Sequence, residues 1–388
     1  MPIYKMDGKK DGKQKYRVRI NYVDNTGKSR QIDRVAYGKE EAKELERQLT
    51  VNLREETAPK MTLQQLYDEY VSVKQHEVRS SSLEKIKLRI GYYILPFIGD
   101  IRIDKLNVPM LQKWKLQVED VTSEKTGKPL GLSTKKNIYG ELRALLNYAV
   151  KMEYIQKNPL LAVGNFKDVY FKTEHKINYY TAEEFEKFIS CAYEQAQKSE
   201  AATQSYFDWE FYVFFNIAYF TGLRKGEIHA LKWTDIDGDV LHVRRSINQK
   251  ADGGDLETPP KNKSSVRDLQ IPKPLADVLE AHYSRHSSLS GFTDDWRICG
   301  GLKCLRDTTI QHRNEKYAKE AGLKVIRIHD YRHSHASLLA NNGINIQEIA
   351  RRLGHSKVET TWDTYAHLYP REEERAVQVL NKIRVKNV

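Results

Sequence analysis

The apolar residues change period along this chain, and that change limits the elements it can form. Over residues 14–23 (QKYRVRINYV) they recur at every second position. Tyr16, Val18, Ile20 and Tyr22 share one face, and Arg17, Arg19 and Asn21 share the other. This is the alternation of a half-buried strand. From residue 39 the spacing becomes three and four, with Ala42, Leu45, Leu49 and Leu53 on one helical stripe. Asp24-Asn25-Thr26-Gly27 is a turn signal, and 29–37 reads as a second strand. Residues 1–58 are thus expected to form a small sheet backed by one helix, with Ala58-Pro59-Lys60 as a linker.

Helical spacing then dominates. Residues 62–163 read as a bundle of four helices, about 62–75, 81–96, 107–119 and 133–154, with start signals at Ser80-Ser81-Ser82, at Asn107 and Pro109, and at Ser133. Residues 164–178 look like a polar linker. From Tyr179 the pattern is mixed but mostly helical. Helices are expected at 182–197, 207–220, 224–231, 274–287, 308–321, 330–341, 346–353, 357–368 and 372–384. Strands are expected at 239–246 and 265–271, around the turn-rich Ala251-Asp252-Gly253-Gly254. The fold class is multidomain, mainly α with small β-sheets. A length of 388 residues suits two or three domains.

Charge separates the front of the chain from its back. The formal net charge is +12; residues 1–30 carry +6, residues 61–163 carry +5 and residues 164–388 only +2. Such an excess points to a polyanionic partner. There is no apolar run of the ~20 residues that span a bilayer. The opening MPIYKMDGKKDGK lacks the apolar core of a secretory signal. Three cysteines, Cys191, Cys299 and Cys304, are too few for a disulfide scaffold and fit a reducing compartment. A cytoplasmic, membrane-free protein is expected. No Gly-x-x-x-x-Gly-Lys-Ser/Thr or Gly-x-Gly-x-x-Gly loop is present, so nucleotide-driven chemistry is unsupported.

Three stretches are chemically dense. TGLRKGEIHALKW (221–233) ends one helix and opens another, with Arg224 and Glu227 on one face. TPPKNKSSVRDLQIP (258–272) is a basic hairpin arm. HDYRHSHASLLANNGINIQEIARRLGHSKVETTWDTYAHL (329–368) packs His329, Arg332, His333, His335, His355, Tyr365 and His367 into forty residues. His329 and His333 have the spacing of metal ligands on a helix. Zinc needs a third ligand; the sequence offers His335 and Cys299-x4-Cys304, but that spacing fits no common finger, so no metal is expected. His333 and His335 read as packing or capping residues.

Together these stretches resemble the tyrosine recombinases, also called phage-type integrases. The ordered pattern is an arginine in TGLRxGE, a lysine on a hairpin, H-x-x-R, LGH, and then a tyrosine followed by a histidine. By motif the resemblance covers 179–368, and by plan the whole chain. It resembles integrases of Gram-positive temperate phages and integrative conjugative elements, with an arm-type DNA-binding domain at 1–58. A core-site DNA-binding bundle would occupy 62–163 and a catalytic domain 179–388. The tail helix, 371–388, would dock on the next protomer.

The resemblance implies a site-specific recombinase that cuts and rejoins DNA through a 3′-phosphotyrosyl link. Such an enzyme integrates a mobile element and, with helpers, excises it. Tyr365 would be the nucleophile, Arg224 and Arg332 would grip the phosphate, and Lys261 would protonate the leaving hydroxyl. His329 would assist proton transfer at the tyrosine, His355 would donate to the phosphate, and Glu227 would orient Arg224. No cofactor would be needed. The partners would be double-stranded core and arm DNA, a homotetramer on synapsed DNA, and DNA-bending or excision proteins. Lys263 rivals Lys261, and Tyr369 rivals Tyr365. Arg17 and Arg19 are the candidate DNA contacts of the sheet. The competing readings are a type IB topoisomerase, an Xer-type resolvase and a catalytically inactive DNA-binding protein. The family often has leucine before the second arginine; here it is Tyr331, at a packing position.

Overall fold

A computed structural model describes residues 3–23, 28–57, 60–123, 127–168, 177–249, 254–259, 263–369, 377 and 380. The chain divides into two compact units, residues 1–173 and 174–388.

The first unit opens with strands β1 (Ile3–Lys10), β2 (Lys13–Val23) and β3 (Ser29–Tyr37), an antiparallel sheet in that order, followed by helix α1 (Lys39–Thr57). Alternation in β2 sets the faces. Val18, Ala36 and Ala42 are buried together, with Tyr16, Ile20 and Leu45 packed around them. The opposite face therefore carries Arg17 beside Val35 and Arg19 beside Asp33. β1 is an addition to the expected two strands. Its sequence, IYKMDGKK, lacks a clean alternation, and its pairing shifts register between Lys5 and Lys9.

Helices α2 (Leu63–Lys74), α3 (Ser80–Tyr93), α4 (Leu95–Ile98), α5 (Val108–Asp120), α6 (Leu132–Lys151) and α7 (Leu160–Val163) follow. They bury Leu63, Ile90, Trp114, Leu142 and Leu146 among others. Thr62 opens α2 with a capping box to Gln65, and Asn107 caps α5 through the Met110 amide. The helix expected at 81–96 is broken at Ile94. Pro96 lies in the first turn of α4, and proline is tolerated there but not inside a helix. The polar stretch 164–178 is docked at both ends. Lys115 Nζ donates to the Gly164 and Asn165 carbonyls, and Phe166 is buried in the bundle.

The second unit comprises α8 (Ala182–Thr203), α9 (Phe207–Thr221), α10 (Lys225–Ala230), β4 (Ile236–Asp237), β5 (Val240–Val243), β6 (Ser246–Asn248), β7 (Leu256–Thr258), β8 (Arg267–Gln270), α11 (Lys273–Ser287), α12 (Asp307–Glu320), α13 (Asp330–Asn341), α14 (Ile346–Leu353) and α15 (Val358–Tyr365). A 3-10 turn, Ala366–Leu368, follows. The expected strand 239–246 is two strands in two sheets: β4-β5-β8 and β6-β7. α9 is buried nearly all round and runs through the core. Aromatic rings fill the space beside it, including Phe185, Phe188, Phe215, Tyr317 and Tyr331. Tyr331 is fully buried, meets Tyr180 edge-on and donates to Asn314 Oδ1 at 2.7 Å. An aromatic residue before Arg332 is thus accommodated by a hydrogen-bonded slot. No helix among the described residues is long and apolar enough to cross a membrane.

The expected tail helix falls outside the described residues, apart from Val377 and Leu380. All three cysteines are free thiols, with Cys299 and Cys304 buried.

Candidate active site

The site is built where α9 ends, α10 begins, and α13 to α15 close over them. α9 stops at Gly222, whose φ is +65°. A Cβ there would sit 2.7 Å from the His335 ring and 3.0 Å from Leu353, so a side chain is excluded by strain and by space. The turn frees the Gly222 carbonyl to accept from Arg332 Nη1 at 2.9 Å.

Arg224 then caps α10. Its backbone N–H donates to Glu227 Oε2 and its Nη1 to Glu227 Oε1, both at 3.0 Å. Glu227 is buried and holds a second guanidinium, with Arg267 Nη2 donating to Oε2 at 2.9 Å. Burial raises the Glu227 carboxyl, but Arg267 and then Arg224 more than offset it, and the group ends below its ordinary value. Arg267 also donates from Nε to the Arg352 carbonyl at 2.7 Å. It thereby joins β8 to the end of α14. α14 ends at Gly354, where φ is +66° and a Cβ would lie 2.9 Å from Arg267 Nη1. The glycine of LGH is therefore required by the close approach of Arg267 as well as by its backbone.

Arg332 projects from α13 and is 3% exposed. Its buried Nη2 has no hydrogen-bond partner among the described residues. Burial first, then the charges of Arg224 and Arg267 against the help of Glu227, lowers its pKa to about 9. His329 stands at the start of the same helix on the open side of the site. Desolvation, His333 and Arg332 lower it to about 4. His355 follows Gly354, and its Nδ1 meets Thr361 Oγ1 at 2.8 Å. Burial followed by Arg332 and Arg224 also takes it to about 4. Both rings are neutral at pH 7.

Tyr365 is 2% exposed. Burial holds its phenol well above the usual value, although Arg332 pulls the other way. Its oxygen meets His333 Nδ1 at 2.6 Å. Tyr369 instead donates to the Ile344 carbonyl at 2.6 Å. Arg224, Glu227, His329, Arg332, His355 and Tyr365 are thus brought into one constellation, linked by these bonds and mutual charge effects. Lys261 lies outside the described residues, as does the side chain of its rival Lys263.

Two members escaped the sequence reading. Arg267 looks like one more surface cation on a short basic strand, and its acidic partner lies 40 residues away. His333 was expected to pack or cap. Its position one helical turn after His329 was the available signal, since both project from one face. His335 behaves as a packing residue: it is buried, its Nδ1 donates to the Tyr219 carbonyl at 2.9 Å, and burial lowers it to about 3. Arg17 and Arg19 lie on the sheet face away from α1, where Arg19 is paired with Asp33 at 3.0 Å.

Glu210, His282 and His286 form a second buried cluster, with ligand atoms within 4.8 Å of one another. Its chemistry is that of a hydrogen-bond network. Trp233 Nε1–H can only donate and meets His286 Nδ1 at 3.1 Å, so the His286 proton sits on Nε2. Nε2 donates it to Glu210 Oε1 at 2.7 Å, while His282 Nε2 donates to the Ile298 carbonyl at 2.8 Å. The nitrogens that would face a cation carry hydrogens instead.

A buried guanidinium with a free donor, two neutral imidazoles, a second guanidinium and a phenol can surround one anionic centre and offer it a nucleophile. That arrangement defines a class of enzyme that attacks phosphodiesters through tyrosine. The chain belongs to the phage integrase family, whose model matches residues 179–372; a second model, the phage integrase N-terminal SAM-like domain, matches 62–115. It is a tyrosine recombinase. It is similar to the ICEBs1 integrase of Bacillus subtilis, 28% identical over 387 residues, covering 96% of this chain and 98% of that protein. The integrase of Staphylococcus phage L54a is 22% identical over 83% of this chain and 93% of its own. Among solved structures, the Tn1549 transposon integrase in complex with transposon right-end DNA superposes with a TM-score of 0.61. It is 22% identical and covers 83% of this chain and 100% of that one.

Proposed function

We propose that this recombinase integrates a mobile element by cutting and rejoining double-stranded DNA, with Tyr365 as nucleophile. The observation that carries the reading is Arg332. A buried cation with a free donor is expensive to maintain, and a phosphate oxygen would satisfy it. Arg224, held by Glu227, is the second grip on the same phosphate. The phenol oxygen attacks phosphorus, a phosphotyrosyl bond forms at the 3′ end, and the 5′ oxygen leaves. Lys261 protonates that oxygen, while His355 donates a hydrogen bond to the phosphate. His329 stands on the rim, where it can donate to phosphate or exchange protons with solvent. Tyr369 gives its hydroxyl to the Ile344 carbonyl, away from the arginines, which favours Tyr365 over it.

Residues 1–58 serve as the arm-site module, with Arg17 and Arg19 on the sheet face that meets DNA, and residues 62–163 as the core-site module. Residues 179–388 carry the chemistry in the cytoplasm. Four protomers act on two synapsed duplexes, with DNA-bending or excision proteins setting direction. A lambda integrase of the same fold, 17% identical with a TM-score of 0.54, was captured as a tetramer bound to a Holliday junction.

A nicked suicide substrate tests the reaction. Wild type should form a covalent protein–DNA adduct, and Tyr365→Phe should bind the same DNA without forming one. An adduct that persists in Tyr365→Phe rejects the assignment.

A further inference from the structure

The Tyr365 oxygen has one hydrogen-bond partner among the described residues, and it is His333 rather than His329. The Nδ1 to Oη distance is 2.6 Å. The His329 ring lies 5.4 Å from the His333 ring, edge to face, and makes no hydrogen bond to the phenol. We infer that His333 is the catalytic base that takes the Tyr365 proton, an inference that rests on the phosphoryl-transfer reading above.

Three observations converge on this. First, the geometry is already that of proton transfer, within the 2.6–3.2 Å reach a base requires. Second, the His333 ring can accept. Burial lowers its pKa from the ordinary value, so the neutral ring predominates at pH 7. With its proton on Nε2, Nδ1 presents a lone pair to the phenol hydrogen. Third, the charges around it suit a transient imidazolium held on a short leash. Asp330, one turn earlier on α13, favours it. Arg327, just before the helix, and Arg332, on it, oppose it. From α15 the facing group is Tyr365 itself, and from the start of α13 it is His329. The proton is therefore accepted during attack and returned easily in the reverse step.

The step balances. The O–H bond of Tyr365 breaks, and its proton passes to His333 Nδ1. The oxygen pair forms the Oη–P bond, the P–O5′ bond breaks, and the departing pair takes a proton from the general acid. On rejoining, the 5′ hydroxyl gives its proton back to the general acid's base form and attacks phosphorus, the Oη–P bond breaks, and His333 returns its proton to the leaving phenolate.

The test uses the full chain on the suicide substrate, with adduct formation followed in single turnover from pH 5 to 8. Wild type should lose rate as pH falls, with the limb lying below the ordinary histidine value because burial lowers His333. His333→Asn places an amide oxygen near the position of Nδ1, so it can hold the phenol without accepting a proton. It should bind DNA normally, cleave about 10²-fold slower and lose that acid limb. His333→Ala should regain rate when imidazole is added. A His333→Asn variant with wild-type rate and an intact acid limb would overturn the inference, because the contact would then only position the ring. So would loss of the limb in His329→Asn but not in His333→Asn. Absence of any adduct from wild type overturns the phosphoryl-transfer reading as well. An adduct that is lost in Tyr365→Phe but unaffected by His333→Asn overturns this inference alone.

Discussion

Glu227 shows how one carboxylate can organise a site without touching substrate. It neutralises Arg267, caps the start of α10 through the Arg224 amide and holds the Arg224 side chain. The Arg267 pair is nearly solvent-free, with side-chain exposures of 4% and 3%. Removing one partner of such a pair costs about 3–5 kcal/mol, because the other charge stays buried. Arg267→Ala should therefore lower the thermal midpoint of the full chain sharply. Its cleavage rate should also fall, because Glu227, which holds Arg224, and the end of α14 both lose their Arg267 contact. Scanning calorimetry alongside adduct formation checks both. The sequence made Arg224 and Glu227 visible because they are three apart. The partners of Arg267 and His333 became visible only in three dimensions: one pair spans 40 residues and the other 32.

At the scale of elements, α13 carries two different kinds of histidine. His333 faces the site, while His335, two residues on, points into the core against α9 and Arg352. His335 stays neutral in the folded state down to about pH 3, whereas an unfolded histidine protonates near 6.5. The unfolded chain therefore binds the extra proton, so stability is full above about pH 6.5 and declines as pH falls towards 4. The thermal midpoint measured across that window should drop by several degrees. His335→Gln, which keeps a donor for the Tyr219 carbonyl, should flatten the slope. Boundaries of α13 and α14 could be read from sequence, since apolar spacing and the glycine stop agree. β1 and the split of β5 from β6 could not. Gly8 and charged residues blur the first, and the second depends on which partner strand lies alongside. The sheet makes its own prediction. Asp33 occupies Arg19, so Asp33→Asn should release a cation towards DNA. It should also steepen the salt dependence of binding by roughly one counterion, read as the slope of log K against log salt.

Over the whole molecule, charge and chemistry are divided between the two ends of the chain. Residues 1–60 carry a net +5 and residues 61–163 another +5, while the remainder holds only +2. A chain beginning at residue 61 should cleave a core-site suicide substrate at near the full-length rate. It should lose high-affinity binding to a duplex carrying arm repeats, as band shifts would record. Rapid relaxation of supercoiled plasmid by that truncated chain, without recombinant products, would instead favour the topoisomerase reading. Changes of hydrophobic period and of charge could be read along the sequence. The ends of the 164–178 stretch could not, since Phe166 and Ile177 are single apolar residues in polar surroundings, and only packing reveals that they are docked.

The free donor of Arg332 has a consequence for anyone trying to improve this protein. An apolar replacement such as Arg332→Met would fill the same slot without an unsatisfied N–H or a desolvated charge, and buried ion groups replaced in this way often raise stability. A selection that rewards heat resistance alone would therefore drift towards dead enzymes. Directed evolution of this recombinase must score strand exchange in every round.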